Sequence, residues 1–271
     1  MRRLISVFRA AGVKFSQDGC GFLAQAIAFN ALFAIFPLLV LVVSALSFVY
    51  GSDEAQVRAL ALVASIAPNV QETLTENLHQ VSHFRGISGL VALVTLVWSG
   101  KNLFMALAYA LDRALDVPKS RPLHVNIAVS IILLPIVSLL LLIATAVPIG
   151  ISLIIRFGGL PRSIVASQII GYGTATLLVF AIALLLYTYL PNQRLRFSFG
   201  VPGAFFVAVT WEVAQIAFGV YTTHVNFLQV YGAVSAIAVL LLWFYFMGVI
   251  FLFGAQFSAR WKEQWNPAPR A

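Results

Sequence analysis

Two ionisable residues stand where a charge is expensive to keep. Lys101, in Trp98-Ser99-Gly100-Lys101-Asn102, and Glu212, in Trp211-Glu212-Val213-Ala214-Gln215, each lie well inside a long apolar stretch. A charge at the centre of a spanning helix costs about 2.5 to 3.5 kcal/mol on insertion scales, so such groups are expected to face a bundle interior or a wet cavity. There they can hold a proton, meet a charged headgroup, or pair with each other and fix helix register.

Neutral polar groups form a second tier. Asn102 follows Lys101, and Gln215 lies three after Glu212 on the same helical face. Gln25 and Asn30 share the first apolar stretch, and Gln256 lies late in the last. Amides of this kind either tie helices together or contact a substrate. The intramembrane polar site on this reading is Lys101, Glu212, Asn102, Gln215 and Asn30.

Other chemistry has little support. His79 and His83 are four apart, but no acid or cysteine stands beside them at ligand spacing. His124 is isolated, and His224 with Asn226 falls in a short turn where a solvated histidine is the plain reading. No G-x-x-x-x-G-K-[ST] loop and no G-x-S-x-G elbow is present. Two-metal nuclease chemistry needs several carboxylates or histidines around cations, and five of the nine acids are Asp18, Asp53, Glu54, Glu72 and Glu76, in the N-terminal segment or one loop. No cofactor, metal or catalytic residue is expected. The single cysteine, Cys20, allows no internal disulfide.

The elements that must position these groups follow from composition. Of 271 residues, 61% are hydrophobic and 10% charged, with a mean hydropathy of +0.95. Soluble domains carry about 25% charged residues, and a soluble fold of this composition would expose large apolar patches. The chain reads as an all-α integral membrane protein. Its net charge of +8 fits cytoplasmic loops facing anionic lipid better than nucleic acid, which is not expected as a partner.

A spanning helix needs about 20 apolar residues. Six stretches qualify, at about 21–50, 87–111, 124–155, 164–190, 199–221 and 231–259. Their apolar character on every side is helical and does not alternate as barrel strands do. Pro37, Pro135, Pro148 and Pro202 fall inside or near the start of spans, where they bend a helix and free carbonyls. Residues 1–20 form a basic amphipathic segment with no cleavage signature, so the first span is expected to remain as an anchor.

Orientation follows from the basic residues. Arg2, Arg3, Arg9, Lys14, Arg113, Lys119, Arg121, Arg194, Arg196, Arg260, Lys262 and Arg270 fall on the side of the termini. Arg58, Arg85, Arg156 and Arg162 fall opposite, which puts both termini in the cytoplasm. The loop 51–86 is then external. Its apolar stripes on either side of Pro68 suggest two amphipathic helices, either a packed cap or a surface element. Residues 260–271 form a cytoplasmic tail. Lys101 is then about 14 residues from the outer end of its span and Glu212 about 10, an offset of about 6 Å that a lysine stem largely covers. Trp261 and Trp265 suit an interfacial belt, while Trp98, Trp211 and Trp243 lie deeper.

An ordered series of motifs carries a resemblance. It runs Phe36-Pro37-Leu38-Leu39, Trp98-Ser99, Tyr189-Leu190-Pro191-Asn192, Pro202-Gly203-Ala204, Trp211-Glu212, Phe218 and Tyr221. It closes with Tyr231-Gly232-Ala233, Leu242-Trp243-Phe244-Tyr245 and Leu252-Phe253-Gly254-Ala255. Over nearly its whole length the chain resembles the YihY / virulence factor BrkB family of bacterial inner-membrane proteins. Gln256 departs from that pattern, which has an acid after Gly-Ala, so no role of that acid transfers here. The resemblance implies six spans in the bacterial cytoplasmic membrane and links to envelope integrity and to lipid or lipopolysaccharide handling. A ribonuclease BN label used for some members conflicts with the missing metal chemistry.

Two function classes follow. A transporter-like protein would move or position a lipid or envelope precursor through a polar mid-membrane site. A non-catalytic envelope scaffold would keep the same groups mutually satisfied in a closed core. Membrane lipids are the expected partners in either case.

Overall fold

The computed structural model describes residues 2–50, 87–118, 122, 124–140, 164–192, 197–224 and 235–265. Seven helices account for most of them: α1 (Arg2–Gln17), α2 (Cys20–Tyr50), α3 (Ile87–Ala114), α4 (His124–Leu140), α5 (Ile164–Tyr189), α6 (Phe197–His224) and α7 (Ser235–Trp265). No strand occurs among the described residues. Each of the six expected spans overlaps one of α2 to α7. The expected external helices of 51–86, with His79 and His83, lie outside the described residues. So do the second half of the third span, Asn226, most of the tail, and the loops bearing Lys119, Arg121, Arg156, Arg162, Arg194 and Arg196.

Three helical segments are long and apolar enough to cross a membrane: Leu93–Ala114, Phe197–Tyr221 and Ile237–Gln264. A fourth is counted if Arg3–Gln17 and Cys20–Ile35 form one broken span. His124–Leu140 and Gly173–Tyr189 are shorter apolar helices. On α3 the sides separate by helical period. Leu90, Val91, Val94 and Val97 are exposed, whereas Ser99, Phe104, Ala108 and Leu111 are buried. The apolar exposed side suits lipid, because a bilayer is itself an apolar solvent. Trp98 was expected to lie deep but belongs to this exposed side, at 62% exposure. Trp243 is fully buried.

Two compact units divide the chain. Unit 1 comprises 1–20, 108–212 and 250–271, and unit 2 comprises 21–107 and 213–249.

Unit 1 is built on α1, the end of α3, α5, the start of α6 and the end of α7. The inward side of α1 places Val7 and Ala11 against Phe257, with Phe206, Phe253 and Trp261 around them. Phe8 and Phe257 have ring centroids 4.8 Å apart. Deeper in the unit, α6 and α7 cross through small residues. A methyl group added at Gly203 would collide with the Gly254 carbonyl and the Ser258 hydroxyl. One added at Gly254 would lie 2.6 Å from both the Tyr187 hydroxyl and Val207 Cγ2. Small residues bring helix backbones together where lipid supplies no hydrophobic drive for association. The Gly203 N–H donates to Ser258 Oγ at 2.9 Å, and Tyr187 donates its hydroxyl proton to the Phe251 carbonyl.

Helix ends in unit 1 have identifiable causes. α1 stops at Gly19, which takes the left-handed conformation (φ 66°) while Asp18 N–H donates back to the Lys14 carbonyl at 2.9 Å. α3 stops in a Schellman arrangement. Val117 N–H donates to the Asp112 carbonyl at 2.9 Å and Asp116 N–H to the Arg113 carbonyl at 3.3 Å. Asp116 takes the left-handed position there (φ 52°), which aspartate tolerates better than most residues. α5 ends at Leu190-Pro191, where proline cannot continue the ladder.

In unit 2, Phe218 of α6 meets Trp243 of α7 at 4.7 Å between centroids. Gly248 of α7 comes against Ala24 of α2, at 3.2 Å for an added methyl. Pro37 is buried within α2.

Candidate functional site

The intramembrane polar residues divide between the units. Lys101, Asn102, Asn30 and Gln215 belong to unit 2, and Glu212 belongs to unit 1. All five are half-buried. Lys101 lies within the Leu93–Ala114 span and is the only charged residue among the described residues of unit 2. An ammonium kept in an apolar span, with no acid among the described residues of its own unit, carries a desolvation cost that those residues do not offset. Asn30 donates its side-chain N–H to the Ala26 carbonyl at 2.8 Å, so its amide serves its own helix. Gln25 is exposed. Among the described residues neither is seen to tie helices together.

Glu212 lies within the Phe197–Tyr221 span. Thr176 of α5 donates its hydroxyl proton to Glu212 Oε1 at 2.8 Å. Among the described residues of unit 1 the carboxylate meets no cation. Thr176 escaped sequence analysis because a threonine in an apolar helix has no local signal. Its partner is 36 positions away.

A second charged group lies at the helix ends of unit 1, and the sequence pointed to only part of it. Lys14 and Asp18 are four apart on an amphipathic helix, and their pair, 3.0 Å, is a spacing a reader can anticipate. Asp116 is the hub that could not be anticipated. Its Oδ1 is 2.9 Å from the Lys14 ammonium, and its Oδ2 is 2.8 Å from Arg260 Nη2. Arg260 also reaches Glu263 at 2.8 Å. The Schellman turn explains the placement, because it holds the Asp116 carboxylate just past the end of α3. The hydrogen bonds it donates to Asp116 and then to Asp18 hold the Lys14 ammonium above its usual value. Burial pushes the Asp116 carboxyl up, but the hydrogen bonds from Lys14 and Arg260 outweigh it and hold the group below the usual carboxylate range.

Gln256 connects this group to the packed helices. It is fully buried, and its Nε2 donates to Asp18 Oδ2 at 2.6 Å. This chain keeps a neutral amide beside the nearly buried Asp18 carboxylate. Two acids in contact there would repel, and one would have to take up a proton. Nearby, Asn192 N–H donates to Asp112 Oδ1 at 2.7 Å, which ties the Leu-Pro-Asn turn to the end of α3. Among the described residues, no group of three or more histidine, cysteine, aspartate or glutamate side chains is placed to hold a metal ion.

The motif residues are thus largely architectural. Pro202-Gly203-Ala204 and Gly254-Ala255 make the close helix crossing, Pro191-Asn192 caps one end, and Trp243 fills the core of unit 2. Glu212 is the one motif residue described with a charge inside a span.

Known proteins are similar to the chain over most of its length. The chain is 26% identical over 250 residues to a putative ribonuclease-like protein YfkH of Bacillus subtilis, covering 86% of each. It is 27% identical over 245 residues to a UPF0761 membrane protein of Pseudoalteromonas translucida, covering 86% of this chain and 78% of that one. A UPF0761 membrane protein of Coxiella burnetii is 26% identical over 258 residues, covering 90% of this chain and 89% of that one. One of these names points to ribonuclease, and the other two state a membrane protein and no reaction. No solved structure matches the chain. The virulence factor BrkB profile matches residues 11–271, and with its apolar spanning helices the chain is a membrane protein belonging to the virulence factor BrkB family.

Proposed function

We propose that this protein is a transporter-like, non-enzymatic protein of the bacterial cytoplasmic membrane. On this reading six spans cross the bilayer, both termini are cytoplasmic, and a lipid or envelope precursor is handled through Lys101, Asn102, Glu212, Gln215 and Asn30. The observation that carries the reading is Lys101, half-buried inside a spanning helix and the only described charge of its unit. A cation retained at about 2.5 to 3.5 kcal/mol suits a group whose partner arrives with the substrate, such as a lipid phosphate. Glu212, whose Oε1 accepts from Thr176, is the acid this reading assigns to balancing or relaying charge.

The test is translocation of a fluorescent anionic phospholipid in vesicles reconstituted with the full chain. Wild-type protein is expected to accelerate translocation over empty vesicles, and Lys101→Gln to lower that rate at least about tenfold. Vesicles with wild-type protein that match empty ones would defeat the proposal. The scaffold reading would then take its place.

A further inference from the structure

A cleft of about 450 Å³ in unit 1 lies against one side of α1 and the end of α7. Three cations line it, Arg9, Lys14 and Arg260, against one acid, Glu263. Ser6 and Gln17 add neutral polar groups, and half-exposed Val13 adds an apolar edge. On α1 the positions 6, 9, 13 and 17 recur at helical spacing, so the lining is one continuous stripe. Beside that stripe α1 exposes Ile5, and farther round the helix it exposes Leu4 and Phe8.

The cations are not exhausted by their internal partners. Arg9 forms no ion pair among the described residues of its unit. The Lys14 ammonium has three donors and contacts two carboxylates, Asp18 and Asp116. Arg260 has five donors. Nη1 serves Glu263, Nη2 serves Asp116, and Nε is buried with no acceptor among the described residues. Asp18 and Asp116 stand behind the cleft and neutralise part of its charge, which suits a ligand delivered at the high local concentration of a membrane surface. A helix with a basic stripe beside exposed apolar side chains lies at the boundary between headgroups and acyl chains.

We propose that the cleft between α1 and α7 binds the phosphate headgroup of an anionic membrane lipid, with Arg9, Lys14 and Arg260 as donors and Leu4, Ile5 and Phe8 against the acyl chains. This site goes beyond the mid-membrane passage and uses neither Lys101 nor Glu212.

Native mass spectrometry of the detergent-solubilised full chain tests it, with phosphatidylglycerol, phosphatidylcholine and inorganic phosphate as probes. Arg9→Gln is expected to weaken phosphatidylglycerol binding about fivefold, the worth of one basic residue at an anionic surface. Glu263→Gln is expected to strengthen it about as much, a gain that misfolding does not imitate. The same fivefold loss from Arg9→Gln is expected in a Lys101→Gln background, which separates this site from the mid-membrane passage. Phosphatidylglycerol binding insensitive to both cleft substitutions would overturn the proposal. Phosphatidylcholine binding as tightly would overturn it as well, since charge would then not be recognised. Inorganic phosphate binding as tightly would replace the lipid with a soluble anion.

Discussion

Arg260 near the end of α7 holds Asp116, just past the end of α3, at 2.8 Å across 144 positions of sequence. The same carboxylate holds Lys14 of α1 at 2.9 Å, so one side chain joins three helices. Asp116 occupies a left-handed backbone position that most residues resist. Conformation and charge therefore make separate demands on this residue, and substitutions can separate them.

Asp116→Asn keeps a residue tolerant of the left-handed region and removes the charge. With Asp116 half exposed, its two pairs are together worth about 1 kcal/mol after solvent screening. Asp116→Ala loses the same pairs and adds about 1 kcal/mol of backbone strain. Thermal unfolding in one detergent should rank wild type above Asn and Asn above Ala. Equal values for Asn and Ala would show that the backbone conformation is unstrained.

The pH dependence of this cluster has a definite sign. The folded Asp116 carboxyl lies below its ordinary 3.8, so its contribution is present above that pH and is lost as pH falls below it. Lys14 lies above its ordinary 10.5, so its contribution is present below that pH and is lost as pH rises through the folded value. The stability difference between wild type and Asp116→Asn should be flat from about pH 5 to 9 and shrink toward zero in acid. A difference that shrinks instead around pH 6 to 7 would point to a histidine and away from this pair.

The α6–α7 crossing predicts a contrast between glycines. Gly203→Ala should cost about 1 to 3 kcal/mol, because the added methyl meets backbone that has nowhere to go. Gly173→Ala in α5, with nothing within 4 Å, should be neutral or gain up to about 1 kcal/mol from helix propensity. Unfolding midpoints of the two variants decide it. A well-tolerated Gly203→Ala would mean that the helices do not cross this closely.

Thr176 is expected to act through Glu212. Thr176→Val keeps shape but removes the donor at 2.8 Å, a loss of about 1 kcal/mol, while Thr176→Ser retains it. Lipid translocation should fall in the valine variant and recover in the serine variant. Equal rates in both would leave the hydrogen bond with a purely structural role.

The fold was legible in outline because long apolar runs have one stable form in lipid: each of the six expected stretches overlaps a helix, and three helical segments are long and apolar enough to cross a membrane. Lys101 and Glu212 stood out for the same reason, as charges without water. What could not be read is what distant parts of the chain bring together. Asp116 resembles an ordinary loop acid until the end of α3 turns it toward Lys14 and Arg260. Gln256 resembles a loose amide until burial places it on Asp18. Trp98 looks like a core residue by its neighbours, yet the period of α3 puts it on the exposed side.

The central claim is that Lys101 and Glu212 act on a passing substrate, and a charge-reversal cycle in reconstituted vesicles tests it most directly. Lys101→Glu, Glu212→Lys and the double exchange would be compared for thermal stability and for anionic lipid translocation. The account predicts that the double exchange folds stably and still fails to translocate, because an acid then stands where a cation must meet the phosphate. A double exchange that restores stability and translocation together would contradict it, and the two charges would be a structural pair.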